Sequence, residues 1–388
     1  MPVLQAIKID DPTVLDIQPL PDSGQELEIE KTATIFEHSA TLDGLANELI
    51  QEIINLVPWP QTSLSLCSKR LHMLTKPILY TNVSLRHQKS YPWFVRTMSC
   101  RPYLANYVKH FHTSAYTADW DFDLDFLPDK SWVRRSLPSV FGESLCHHWY
   151  REIFAFRPQY RMLMAAAWDA ITAFLFCLFT GLQSIDMKPY GLLVTKYSHI
   201  DMVLEQASRD KAMINSMSQS LLSNLRSVSI EGGQEARALT TYPVLPFLEV
   251  ESVSRFRVTN VRDGGRPDLG YPSVLDTADV ALLESYLSAR VIQEIVPLFN
   301  SLRRFQYQYG VNGRQYHQLK PSFSLLKECL LNSRHTLEQL MISDDRRQAQ
   351  QTLLMNHNAG IGSLRDFTRL RYVIRPLHRV CNNVKGHN

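Results

Sequence analysis

Residues 182–187 read Leu-Gln-Ser-Ile-Asp-Met, and residues 225–230 read Leu-Arg-Ser-Val-Ser-Ile. In both, a leading leucine is followed by two polar residues, then an apolar, a polar and an apolar one. That alternation is what a strand with one buried face requires, because successive side chains point to opposite sides. The unit recurs as LRRFQY from Leu302, LEQLMI from Leu337 and FTRLRY from Phe367. A weaker copy, VKHFHT, begins at Val108, and another is expected near Leu248 or Phe256. Apolar helical runs precede several units, such as LLSNL at 221–225 and LLKECLLNSRHTL at 325–337.

A helix followed by a strand, repeated, is the signature of leucine-rich-repeat solenoids. The spacing here is irregular, with starts at 182, 225, 302, 337 and 367. A regular repeat of that kind runs roughly 20–29 residues. Degenerate repeats or inserted loops account for the difference, and 114–160 and 231–290 are the candidate insertions. The second holds Gly232-Gly233, Gly264-Gly265 and several prolines, as loops do. In such a solenoid the residues flanking the strand apolars form a concave binding surface. The residues so placed for a target are Asp186, Ser229, Arg304, Gln306, Met341, Arg369 and Arg371. Arg303, Arg304, Arg369 and Arg371 would suit an acidic or phosphorylated partner, since guanidinium forks match phosphate oxygens. The alternative is a mixed polar surface without specific use.

Upstream, the period changes from two to about 3.6. In LANELIQEIINLV, Leu45, Leu49, Ile53 and Leu56 share one helical face, and Ile50, Ile54 and Val57 widen it. Asp43 is the expected N-cap, and Pro58 and Pro60 end the helix. A second helix is expected over TSLSLCSKRLHMLT, with Leu64, Cys67, Leu71 and Leu74 in register and Thr62 or Ser63 as cap. Pro77 then opens PILYTNVSL, a turn running into a strand.

Leu45, Glu48, Leu49, Ile53, Leu56, Pro58, Leu64, Leu66, Ser68, Lys69, Arg70 and Leu71 follow the order of the F-box motif. The stretch resembles that family, and the whole chain resembles F-box proteins with degenerate leucine-rich repeats. Ala46 stands where the family has the proline of its leading pair, and Cys67 where it has valine. The resemblance implies an α/β chain: an acidic lead over 1–39, an F-box-like helical module over 40–88 and an irregular repeat solenoid over 89–388. Its strands would be parallel, with helices on the convex side. It also implies a Skp-type adaptor as partner and, through it, a cullin-RING ubiquitin ligase of the SCF type. The chain would recruit a target protein and would not itself be an enzyme. The expected adaptor contacts are Leu45, Ala46, Leu49, Ile50, Ile53, Ile54, Leu64 and Leu66. The alternative function is a repeat scaffold without ligase association.

Composition agrees with a cored chain. Hydrophobic residues make up 45% and charged ones 20%, near the average of globular domains. Residues 1–40 hold two lysines and eight carboxylates, a net of −6, which leaves +9 for the rest of a chain of net +3. That balance gives no strong nucleic-acid footprint. The six cysteines, Cys67, Cys100, Cys146, Cys177, Cys329 and Cys381, form no C-x-x-C pair, so reduced thiols in a cytoplasmic or nuclear protein are expected. MPVLQAIKIDDP lacks a basic region before an apolar run, which argues against a secretory signal.

Residues 162–182 are long enough to test as a membrane span, but Asp169 lies inside them. A mid-bilayer carboxylate costs about 3 kcal/mol on insertion scales, so a buried helix is the expectation and no membrane is assigned. Neither the alternating carboxylates of DWDFDLD at 119–125 nor Cys146-His147-His148 has the ligand spacing of a metal site. No phosphate loop, nucleophile elbow or H-E-x-x-H helix occurs, so no catalytic residue, cofactor or metal is assigned.

Overall fold

A strand that buries one face needs a neighbour on each side for its backbone and a cover for its apolar face. The computed structural model answers both needs. It describes residues 42–56, 61–85, 90–114, 161–189, 198–209, 221–232, 239–240, 244–263, 275–310, 322–344 and 363–374. The chain divides into two units, Met1–Ala46 and Asn47–Asn388. Of the first, the described part is a 3₁₀ turn, Leu42–Gly44, closed by Leu45 N–H donating to the Leu42 carbonyl. The expected lead over 1–39 lies outside the described residues, as do 115–160.

The second unit opens with helices α1 (Asn47–Leu56), α2 (Gln61–Cys67) and α3 (Lys69–Thr81). The single second helix expected over 62–75 is broken at Ser68. That residue is extended, and its hydroxyl accepts from the Leu71 N–H, capping α3. Pro77, expected to open a turn, lies inside α3. The carbonyl it deprives of a donor belongs to Met73, which is exposed to water. The Thr81 hydroxyl donates to the Pro77 carbonyl at the end of the helix. Arg70 on α3 donates through Nε and a terminal nitrogen to Asn47 Oδ1 on α1, tying the two helices.

From Thr81 the chain passes directly into β1 (Asn82–Leu85). There follow α4 (Ser90–Cys100), β2 (His110–Ser114), α5 (Arg161–Leu178), β3 (Ser184–Lys188), α6 (His199–Arg209) and β4 (Ser227–Glu231). Next come β5 (Leu239–Thr240), α7 (Pro246–Glu249), β6 (Arg255–Thr259), β7 (Val261–Arg262), β8 (Asp279–Ser285) and α8 (Ala289–Ile295). Last are β9 (Arg304–Tyr309), α9 (Phe323–Cys329), β10 (Gln339–Asp344) and β11 (Tyr372–Ile374). Nine strands form one sheet, β1-β2-β3-β4-β6-β8-β9-β10-β11, in chain order and parallel throughout. β5 and β7 form a separate parallel pair. The fold is therefore mixed α/β with a parallel sheet of nine strands.

The register places the sequence units. Leu182, Leu225, Leu302 and Leu337 are fully buried, and a strand begins two residues after each. Val83, Phe111, Ile185, Val228, Phe256, Val280, Phe305 and Leu340 then form one buried row across the sheet.

Two expectations are corrected. Residues 231–290, read as an inserted loop, contribute β6 and β8 to the main sheet. Their leading positions hold Val253 and Thr277, buried but not leucine; the copy expected near Leu248 or Phe256 is β6, and β8 was not foreseen. The last unit is read three residues too early. Tyr372 pairs with Gln339, so its leading residue is Leu370 and not Phe367.

Behind the sheet, α5 is buried from Trp168 to Cys177. Its Asp169 accepts hydrogen bonds from the Ser198 hydroxyl and from the His199 and Ile200 N–H groups, at 2.7, 2.5 and 3.4 Å. The carboxylate thus serves as the missing acceptor at the start of α6. A charge that speaks against a bilayer is used here to join two helices. No helix among the described residues is long and apolar enough to cross a membrane.

The leading apolar residues carry the packing, so Leu225→Ala is expected to cost about 2–5 kcal/mol. Ser229→Ala, on the opposite face of the same segment, is expected to change stability by under about 1 kcal/mol. Denaturant unfolding of the two variants checks this, and equal losses would contradict the burial pattern.

Candidate interaction surfaces

A unit of three short helices cannot hide every apolar side chain it carries. On α1, two stripes compete for the interior, Leu49-Ile53-Leu56 and Ile50-Ile54. The second wins: Ile50 is 0% and Ile54 1% exposed. Both were expected to contact an adaptor and are corrected here, because they fill the interior beneath α1. The first stripe faces outward, with Leu49 at 50% and Leu56 at 74% exposure and Ile53 half-buried. On α2, Leu66 is 86% exposed and Leu64 half-buried, and on α3 Met73 is 65% exposed. Leu56 and Met73 were not foreseen as contacts. Burial of Ile50 and Ile54 as a pair four residues apart turns Leu49 and Leu56, seven apart, to solvent. In the preceding unit, Leu45 is half-buried and Ala46 exposed.

The second surface is the face of the sheet opposite the buried rows. Side chains at the first and third strand positions project from it. Cross-strand register brings together residues far apart in sequence. The His110 ring meets the Ser184 hydroxyl at 2.7 Å, and His112 Nδ1 meets Asp186 Oδ2 at 2.9 Å. The His112 hydrogen bond, with Lys188 and the Ser229 hydroxyl beside it, holds the Asp186 carboxyl below the usual carboxylate range against the opposing effect of burial. Lys188 pairs with Glu231 at 2.5 Å and Arg304 with Asp279 at 3.0 Å. These pairs are half exposed, so each contributes no more than about 1 kcal/mol to stability, and they chiefly fix side-chain directions.

Of the residues expected on this face, Asp186, Ser229, Arg304, Gln306 and Met341 occupy it. Arg369 and Arg371 do not, because β11 starts only at Tyr372 and both precede it. His110, His112, Arg255 and Arg257 were not foreseen and stand in the same rows.

In the His112–Asp186–Ser229 group the acid lies between the other two, so no base is aimed at the hydroxyl. Among the described residues no group of three or more His, Cys, Asp or Glu side chains is placed to hold a metal ion. The acidic run at 119–125 and Cys146-His147-His148 lie outside the described residues. A cavity between the sheet and the outer helices is lined by Phe256, Val258, Val280, Leu282, Ile292 and Phe299 among others, all apolar. It holds no polar group to orient a ligand.

No protein-family model, curated protein or solved structure matches this chain.

One half-buried acid lies apart from both surfaces. Asp201 on α6 is pushed up to about 7 by burial, and by Asp169 and Glu205 nearby. One of its oxygens lacks a hydrogen-bond partner among the described residues. Above its ordinary value the unfolded chain has released this proton while the folded chain keeps it. Stability therefore falls as pH rises toward about 7. Asp201→Asn removes that penalty and is expected to stabilise the chain by about 1–2 kcal/mol at pH about 8. The gain should shrink toward pH about 4, where both states are protonated. Thermal melts of the two proteins at both pH values check it.

Proposed function

We propose that the chain is a target-recruiting subunit of an SCF-type ubiquitin ligase. Helices α1–α3 act as an F-box-like docking module, and the repeated strands form an irregular leucine-rich-repeat solenoid whose polar face receives the target. The observation that carries this reading is the outward set of Leu49, Leu56, Leu66 and Met73 on three helices that run without a linker into β1. Large exposed aliphatic residues on a small helical unit are costly in water and mark an interaction surface. The partner that fits is the Skp-type adaptor that the motif order already suggests. Burying four such side chains gives a gross gain of roughly 6–12 kcal/mol. Association and ordering offset much of it.

In this reading the chain makes and breaks no bond. It raises the local concentration of a target beside the ubiquitin-loaded enzyme and orients it. The fusion of α3 to β1 gives that role a physical basis, since the docking helices and the first strand of the target-binding face share one continuous backbone.

Leu56→Asp combined with Leu66→Asp tests this, because both side chains are exposed and the pair leaves the interior intact. Wild type is expected to co-purify with the Skp-type adaptor, and the double variant to lose at least tenfold, roughly 1.4 kcal/mol or more, with an unchanged melting temperature. Failure of the wild type to bind would leave a repeat scaffold without ligase association.

A further inference from the structure

Most charges on the polar face are matched across adjacent strands: His112 with Asp186, Lys188 with Glu231 and Asp279 with Arg304. Arg255 and Arg257 on β6 break the pattern. Both side chains are exposed, and neither guanidinium has a hydrogen bond or ion pair among the described residues. They occupy the first and third positions of one strand, so they point the same way from about 7 Å apart. Their neighbours leave them open. On the β4 side stand Ser227 and Ser229, and on the β8 side Asp279 and Ala281. Asp279 is engaged by Arg304, and Ala281 covers nothing. The Ser229 hydroxyl is engaged by Asp186, which leaves the Ser227 hydroxyl, one strand from Arg255, facing the same opening.

Two guanidinium forks and a hydroxyl on one rigid sheet are the donors that a phosphate monoester requires. We propose that the face over β4 and β6 binds a phosphorylated side chain on an extended segment of a partner protein. Arg255 and Arg257 hold the phosphate oxygens, and Ser227 donates to one of them. The flanking charges argue for one such group and not a nucleic-acid strand. Glu231 and Asp186 lie one and two strands from the arginines, where a continuous phosphate backbone would be repelled. This inference rests on the proposed function only in treating the polar face as the target's seat. Adaptor docking uses other residues.

The test uses the full chain and a degenerate library of short peptides with a fixed central phosphoserine, beside the same library unphosphorylated. Wild type is expected to retain the phosphorylated library only, and Arg255→Gln with Arg257→Gln to weaken retention tenfold or more. Because both side chains are exposed, the double variant should keep the wild-type melting temperature and still co-purify with the adaptor. Retention equal in wild type and variant, no retention by wild type, or equal capture of a single-stranded oligonucleotide would overturn the proposal. Loss of adaptor binding by wild type with phosphopeptide retention intact would sink the ligase reading alone.

Discussion

One backbone arrangement recurs at the entrance of almost every strand, and the rest of the molecule is phased by it. The carbonyl of Lys109 accepts from the N–H groups of both Gln183 and Ser184, at 2.7 and 3.0 Å. Gln183 then accepts from Arg226 and Ser227, Arg226 from Ser254 and Arg255, and Ser254 from Ala278 and Asp279. Ala278, Arg303 and Glu338 continue the row to Tyr372. Each carbonyl uses both lone pairs on consecutive donors of the next segment. The residue before each such pair is the leading one, apolar in all but Thr277, and this fixes where these strands begin. A slip of one residue would move the entire apolar row to the polar face.

Because that row fixes the strands and not the connections, connection length is free to vary. The chain takes 69 residues from the end of β2 to the start of β3 but only 18 from the end of β8 to the start of its neighbour β9. The ladder is the same at both places. Side-chain hydroxyls assist at the tight connections. Thr277 donates to the Val253 carbonyl, Ser333 to Phe299, and Thr336 to Leu302. These polar residues are buried or half-buried beside apolar ones, and each has a carbonyl from the preceding segment as acceptor.

This explains what the sequence disclosed and what it concealed. Strands led by Leu182, Leu225, Leu302 and Leu337 were legible because the leucine and the alternation agree. The strand led by Val253 was legible only as a copy near Leu248 or Phe256, and the one led by Thr277 was not, since the buried slot accepts any side chain of suitable size and the alternation alone is too short to stand out. In Phe367–Tyr372 two apolar residues compete for the leading slot, and only the hydrogen bonds of Tyr372 to Glu338 decide for Leu370. On α1 the composition announced a two-sided helix without saying which stripe faces in. The packing of the helical unit, which buries Ile50 and Ile54, made that choice. The pairing of His112 with Asp186 spans 74 positions and follows from strand register, which no local pattern encodes.

The same register gives the polar face its character. Parallel strands in chain order set residues of equal position side by side, so a charge on one strand is about 5 Å from the corresponding residue on the next. An unmatched charge is therefore conspicuous. Asp186 has His112 on one side and Ser229 on the other, and Asp279 has Arg304. β6 departs from this rule at alternate positions of one strand: the only charge beside Arg255 is Asp279, already paired with Arg304, and Arg257 has serine and alanine. A neutral side chain at either place would serve the ladder equally well, because both project away from the buried rows. The folding of the sheet therefore gives no reason for two arginines there, and an anionic partner does.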